Sequence, residues 1–188
     1  VTQTAIYLAI LIGGVTFTGS FIAYLKLAGK MSGRPTLFPG QKAVNAILFL
    51  ALLVLGVLYV MNGSAWALYA IIALSLALGV LGVLPIGGGD MPVIIAFLNS
   101  FSGLAGAAAG FVILNKVLIV AGCLVGTSGI ILTIIMCKAM NRTFGNVLFG
   151  GFGAAGGATG KAVEGEMKGV SVEDAFYALE AAQNVVFV

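Results

Sequence analysis

Histidine is absent from all 188 residues, and only two cysteines occur. Without imidazole, zinc, haem and triad chemistry lose their commonest ligand or base. Cys123 and Cys137 stand fourteen positions apart on one predicted helix, about 21 Å at 1.5 Å per residue. They cannot pair with each other, and we expect two buried apolar thiols and no metal site.

Charge is also scarce. Charged residues make up 8% of the chain against 61% hydrophobic, with a mean hydropathy of +1.17, where a soluble domain carries about 25% charged. Carboxylates are rarest, since Asp90 is the only one before Glu164. These shortages exclude an ordinary soluble domain and leave an integral membrane protein. The bases form no stripe with interleaved aromatics, so the net charge of +3 does not point to nucleic acid. Outer-membrane strand alternation is missing, which favours a helix bundle over a barrel. No charged segment with a short apolar core and a cleavage site opens the sequence; Val1 already lies in an apolar run, as expected of a piece whose start lies upstream.

What is present is a series of apolar runs near the ~20 residues that cross hydrocarbon, at about residues 4–25, 43–61, 65–85, 92–114 and 117–140. The expected fold is therefore an all-α membrane protein with a bundle of five transmembrane helices in residues 1–142. The turns at Asn62-Gly63-Ser64 and Asn115-Lys116 are so short that helices two and three, and four and five, should be antiparallel neighbours. Lys26, Lys30, Arg34, Lys42, Lys138 and Arg142 fall on one side and Lys116 alone on the other. The positive-inside rule then places the N-terminus outside, and Asp90 and the C-terminus in the cytoplasm.

After residue 142 the composition changes. Residues 143–170 read as a flexible Gly-rich hinge. From Ser171, a capping serine followed by Glu173 and Asp174 opens a short amphipathic helix. Val185-Val186-Phe187-Val188 reads as a buried strand, so residues 171–188 would begin a truncated α/β domain.

Polar and small residues recur at helical spacing. Helix four carries Asn99, Ser102, Gly103, Gly106 and Gly110, and helix five Gly122, Gly126, Gly129 and Thr133, while helix one adds Gly13, Thr16 and Ser20. The glycines suit close helix packing. Asn99, about two turns from Asp90, either holds water in a hydrated path or makes an interhelical hydrogen bond. Asp90 follows Gly87, Gly88 and Gly89 and precedes Met91 and Pro92. We expect it to cap helix four by accepting from the first amides, with Pro92 in the first turn, while the glycines give a pliable loop suited to a mobile partner.

Four stretches carry a resemblance: Val15-Thr16-Phe17-Thr18-Gly19-Ser20, Gly88-Gly89-Asp90-Met91-Pro92-Val93, Leu98-Asn99-Ser100-Phe101-Ser102-Gly103, and Ile135-Met136-Cys137-Lys138-Ala139-Met140-Asn141-Arg142. In that order and spacing the chain resembles the beta subunit of proton-translocating NAD(P) transhydrogenase. The resemblance implies the C-terminal part of its membrane domain, the hinge, and the start of the NADP(H)-binding domain. It implies an oxidoreductase and translocase of the bacterial inner membrane, in which hydride passes from NADH to NADP+ while a proton crosses inward.

By the same resemblance Asn99 matches the polar position of the proton-conducting helix, with Ser102, Thr16, Ser20 and Thr133 as further path candidates. Asp90, with its loop Gly87–Pro92 and Arg142, would form the coupling interface, and Gly122, Gly126 and Gly129 the glycine-lined final helix. No cofactor is expected within this stretch, and NADP(H) and NAD(H) would belong to the complete complex. The implied partners are the preceding helices of the same subunit, the alpha subunit's membrane helices and NAD(H)-binding domain, the NADP(H)-binding domain, the lipid bilayer and a second copy of the complex. Half of a secondary transporter, or a structural membrane anchor, are the alternative readings.

Overall fold

The computed structural model of the chain describes residues 2–150 together with Phe176 and Glu180. The flexible hinge expected over residues 143–170 is corrected at its start, where Phe144–Gly150 is a short helix; the rest of it, the helix opening at Ser171 and the strand at Val185–Val188 lie outside the described residues. Contacts divide the chain into Val1–Ala155 and Gly156–Val188, and only the first unit is described at length.

That unit is all helical among the described residues. α1 runs Thr2–Leu27, α2 Gln41–Asn62, α3 Ala65–Val83, α4 Met91–Val112, α5 Lys116–Ala139 and a short α6 Phe144–Gly150; a 3-10 turn, Gly88–Asp90, precedes α4. The first five are long and apolar enough to cross a membrane. Their ends fall within two residues of the ranges read from the sequence. As the two short turns require, α2 packs on α3 and α4 on α5, while α1 bridges α3 and α4. The resulting order across the layer is α2, α3, α1, α4, α5.

Local chemistry sets the helix ends. Gly63 takes a left-handed φ of 62° and donates its amide to Tyr59, closing α2. Asn141, at φ 51°, ends α5 in the same way: its amide donates to Lys138 O (3.1 Å) and that of Arg142 to Cys137 O (2.9 Å). This Schellman geometry turns the chain back over the bundle end. At its start, α5 is capped by Asn115, whose side chain accepts from the Leu118 amide.

Pro85 ends α3 and, lacking an N–H, leaves the Leu81 carbonyl without its helical donor. Gln41 Nε2 (3.1 Å) and Asn45 Nδ2 (3.3 Å) supply it from α2. Further along, α3 meets α1 where Gly14 faces Ser75 and Gly79 faces Val15 and Thr18, with Thr18 Oγ1 donating to Leu76 O at 2.8 Å. A side chain at Gly14 or Gly79 would collide there.

Two apolar clusters result. One joins Leu52, Tyr59 and Ile71 with α1 side chains such as Tyr7 and Leu11. The other gathers Ile22, Ala23, Val83, Ile86, Met91, Val93, Ile94, Leu98, Cys137 and Val147 at the end of the bundle that carries Asp90. Half of the α4 apolar stretch is buried, against 17–22% in the other four spans. α4 is the central element, and the outward faces of α2 and α5 present the leucines, isoleucines and valines that a lipid environment accepts.

Candidate functional site: the two flanks of α4 and its ion-paired entrance

On the side of α5, α4 meets glycine. An added Cβ on Gly103 would strike Gly126 N and lie 2.7 Å from Gly122 O; one on Gly122 would strike Ala107 N and one on Gly129 would come 2.6 Å from Ser100 N. Gly110 is closed by Ile119 at 2.8 Å, whereas Gly126 has ordinary contacts at 3.4 Å or more. The two backbones therefore touch directly, and the polar side chains nearby are satisfied within their own helices: Ser100 Oγ donates to Phe97 O (2.7 Å) and Thr133 Oγ1 to Gly129 O (2.7 Å). Ser100 and Thr133 are buried. This flank is a dry seam.

Toward α1, Gly19 packs on Leu98 and Gly13 approaches Ala105, but beside that contact a groove of about 510 Å³ stays open. Gly13, Thr16, Phe17, Ser20 and Phe21 of α1 and Ser102 of α4 line it. Thr16 Oγ1 donates to Ile12 O (2.6 Å) and Ser102 Oγ to Leu98 O (3.2 Å), each within its helix. Each hydroxyl oxygen thus keeps acceptor capacity for a water or another donor.

Asn99 lies three residues before Ser102 on the same face of α4 and is exposed. Of the five path candidates, Thr16, Ser20 and Ser102 line one groove, Asn99 borders their face, and Thr133 stands apart in the seam with α5. Gly106 departs from the expected packing role. Nothing among the described residues approaches within 4 Å of its Cβ position, because seven residues on from Asn99 it falls on the same open face. Cys123 also corrects the expectation of two buried thiols: Cys137 is buried, but Cys123 is exposed. It edges a second, apolar groove of about 610 Å³ with residues such as Leu8, Ile12, Leu104 and Phe111.

At the head of α4, Asp90 does not make the expected cap. Its backbone is already helical (φ −91°, ψ −4°) and its carboxylate bonds no α4 amide, since a capping side chain needs the extended backbone that aims it back at the first turn. In the 3-10 turn Asp90 N donates to Gly87 O at 3.1 Å, and Met91 N, the first amide of α4, to Gly88 O. Pro92 does occupy the first turn. Freed from capping, Asp90 Oδ2 accepts from Arg142 Nη1 at 2.8 Å, linking the start of α4 to the segment after α5.

Neither are the three glycines a loose loop. None has a positive φ, and Gly88 N donates to Gly33 O at 2.8 Å, where an added Cβ would sit only 3.4 Å from that oxygen. α6 adds a further tie, because Phe144 packs edge-on against Phe97 (centroids 4.9 Å apart) and Val147 is 1% exposed. Phe97 stacks in turn on Phe101 at 4.5 Å.

Sequence reasoning passed over Lys26, counting it only as a cytoplasmic base. It is 5% exposed, and its Nζ donates to Leu84 O (2.5 Å) and Ile86 O (2.8 Å). Its position held the signal: Thr16, Gly19, Ala23 and Lys26 follow a three-four-three spacing, the buried stripe of α1. Gln41, 2% exposed, was missed similarly, although Pro85 announced an orphan carbonyl in need of a donor.

Apolar spans, a central helix with one dry and one hydroxyl-lined flank, and an ion pair at its entrance define an α-helical integral membrane protein. Over residues 1–188 the sequence matches the model of the NAD(P) transhydrogenase beta subunit, and the chain belongs to that family. It is 47% identical over 184 residues to NAD(P) transhydrogenase subunit beta of Rhodospirillum rubrum, and to the same subunit from a designated strain of that species. Each match covers 96% of this chain and 40% of the relative, so the chain spans well under half the length of the curated relatives it matches.

Proposed function

We propose that this chain forms the proton-translocating membrane part of an NAD(P) transhydrogenase, which couples proton passage to hydride transfer from NADH to NADP+ in soluble domains. The observation that carries the reading is that one helix joins the ion pair to the hydroxyl-lined groove. α4 begins at the Asp90–Arg142 pair and continues to Asn99 and Ser102 beside the groove lined by Thr16 and Ser20.

The groove supplies amide and hydroxyl groups that hold water and pass a proton along it. Among the described residues neither a carboxylate nor an imidazole lines it, and in this reading the preceding helices of the subunit contribute the residue that stores a charge between turnovers. Thr133, buried on the other flank, packs α5 and does not conduct. The base count supports a cytoplasmic Asp90 end, and the family supports a bacterial inner membrane. There it faces the NADP(H)-binding domain, while the alpha subunit and a second copy complete the assembly. Because Phe144–Gly150 is a helix packed on α4, the hinge to that domain is the stretch after α6, and the domain begins at about residue 171.

The turn before α4 does not fit a dinucleotide. It follows α3 instead of a strand, and it bears Asp90 where a phosphate would need to sit. Nucleotide chemistry thus belongs to the remaining length of the subunit, and this stretch contributes the path and the coupling contacts.

Asn99→Leu in the complete complex tests the reading. Proton uptake by vesicles and the hydride transfer tied to it should fall about tenfold, a barrier increase of about 1.4 kcal/mol, with assembly unchanged. Full pumping by an equally assembled Asn99→Leu complex would remove Asn99 from the path.

A further inference from the structure

Lys26 is a buried cation with backbone partners at a decisive place. Its ammonium bonds the carbonyls on either side of Pro85, those of Leu84 and Ile86. Neither has its helical donor because the chain has left the α3 ladder: Gly88 N, which could serve Leu84 O, donates to Gly33 O, and Asp90 N, which could serve Ile86 O, donates to Gly87 O. Among the described residues Thr36 N is the one other donor to Leu84 O, at 3.2 Å, and Lys26 is the one donor to Ile86 O. Among the described residues the one ion pair is Asp90–Arg142. Lys26 is therefore held by carbonyl dipoles at the negative end of α3.

From Ile86 to Asp90 is four residues. Ile86 is fixed by Lys26 and by the apolar cluster around Met91 and Val93, Gly88 is fixed by Gly33, and Asp90 reaches Arg142. An anchor lost at the first point lets Ile86 O seek water and loosens the turn that aims the carboxylate. A buried carbonyl left without a donor costs more than a partly exposed ion pair contributes, so the pair cannot hold the turn by itself.

We infer that Lys26 is a positioning residue for the Asp90 turn: its ammonium clamps the Leu84 and Ile86 carbonyls and so presents Asp90 to Arg142. The functional consequence rests on the coupling role proposed above, while the clamp itself does not.

The test uses the complete complex with Lys26→Met, Lys26→Arg and Arg142→Ala. In Lys26→Met, hydrogen exchange at the amides of Ile86, Gly88, Asp90 and Met91 rises about tenfold or more, while amides in the middle of α4 stay within about twofold. Lys26→Arg, which keeps cationic donors, restores most of the protection. Coupled turnover falls about fivefold in Lys26→Met and in Arg142→Ala alone, and the double variant falls no further, because both act through one contact.

Unchanged exchange at the turn in Lys26→Met would overturn the clamp, and so would exchange raised equally throughout α4. A double variant showing the product of the two losses, about 25-fold, would overturn the route through Asp90. Faster exchange with intact turnover keeps the clamp and rejects the coupling role of the turn, which separates the two failures. If Lys26→Met does not assemble, Lys26→Gln, with two N–H donors and no charge, carries the same exchange measurement and must show intermediate protection.

Discussion

The flank of α4 against α5 and the flank beside α1 use the same kinds of residue to opposite ends. Toward α5, Gly103, Gly122 and Gly129 bring backbone onto backbone and leave no room for a side chain, let alone water. Toward α1, Gly13, Thr16, Ser20 and Ser102 border open space. Small residues close a helix pair only when both partners are small at the same level. Toward α1, the exposed Phe17 and Phe21 stand beside the serines and threonine and wall an open groove.

The sharpest way to break this contrast is to fill the seam. Gly103→Leu should prevent α4 and α5 from docking, with overpacking of about 3 kcal/mol or more and a large loss of intact complex on size exclusion. An intact Gly103→Leu complex of normal thermal stability would show that the seam is not closely packed. Next in size, Asp90→Asn tests the entrance shared by both flanks. Coupled turnover and NADP(H) release should weaken several-fold, while the melting transition moves by less than about 1 kcal/mol, the ordinary worth of a partly exposed pair. The smallest effect belongs to Gly106→Ala. Only three residues from Gly103 but on the open face, it should be neutral or stabilise by up to about 1 kcal/mol through helix propensity, and a marked loss in a thermal scan would mean that a neighbour covers it.

Much of this architecture is legible in the sequence because the solvent demands it. Spans of fixed length and short turns determine the five helices and two of their pairings. The glycines of α5 and the hydroxyls of α1 could be assigned to helix faces by spacing alone. Which small residue meets another helix could not, since that depends on rotation about the helix axis: Gly103 and Gly106 read alike in sequence and part company in the fold.

Asp90 shows a second limit. Glycine, acid and proline before a helix are normal cap grammar, yet a 3-10 turn leaves Asp90 with a helical backbone, and its carboxylate meets a residue 52 positions away. Lys26 shows a third. A lysine near a helix end counts as an interfacial charge until the chain leaving α3 presents the Leu84 and Ile86 carbonyls for it to hold.

The central claim, that water reaches one flank of α4 and is excluded from the other, can be measured with single cysteines. In the complete complex with Cys123 and Cys137 replaced, Ser102→Cys and Ser100→Cys are exposed to a charged, membrane-impermeant thiol reagent. Ser102→Cys should react at least about tenfold faster, since thiol labelling follows solvent access to the thiolate. Equal rates, or faster labelling of Ser100→Cys, would contradict the assignment of the α1 flank as the hydrated path.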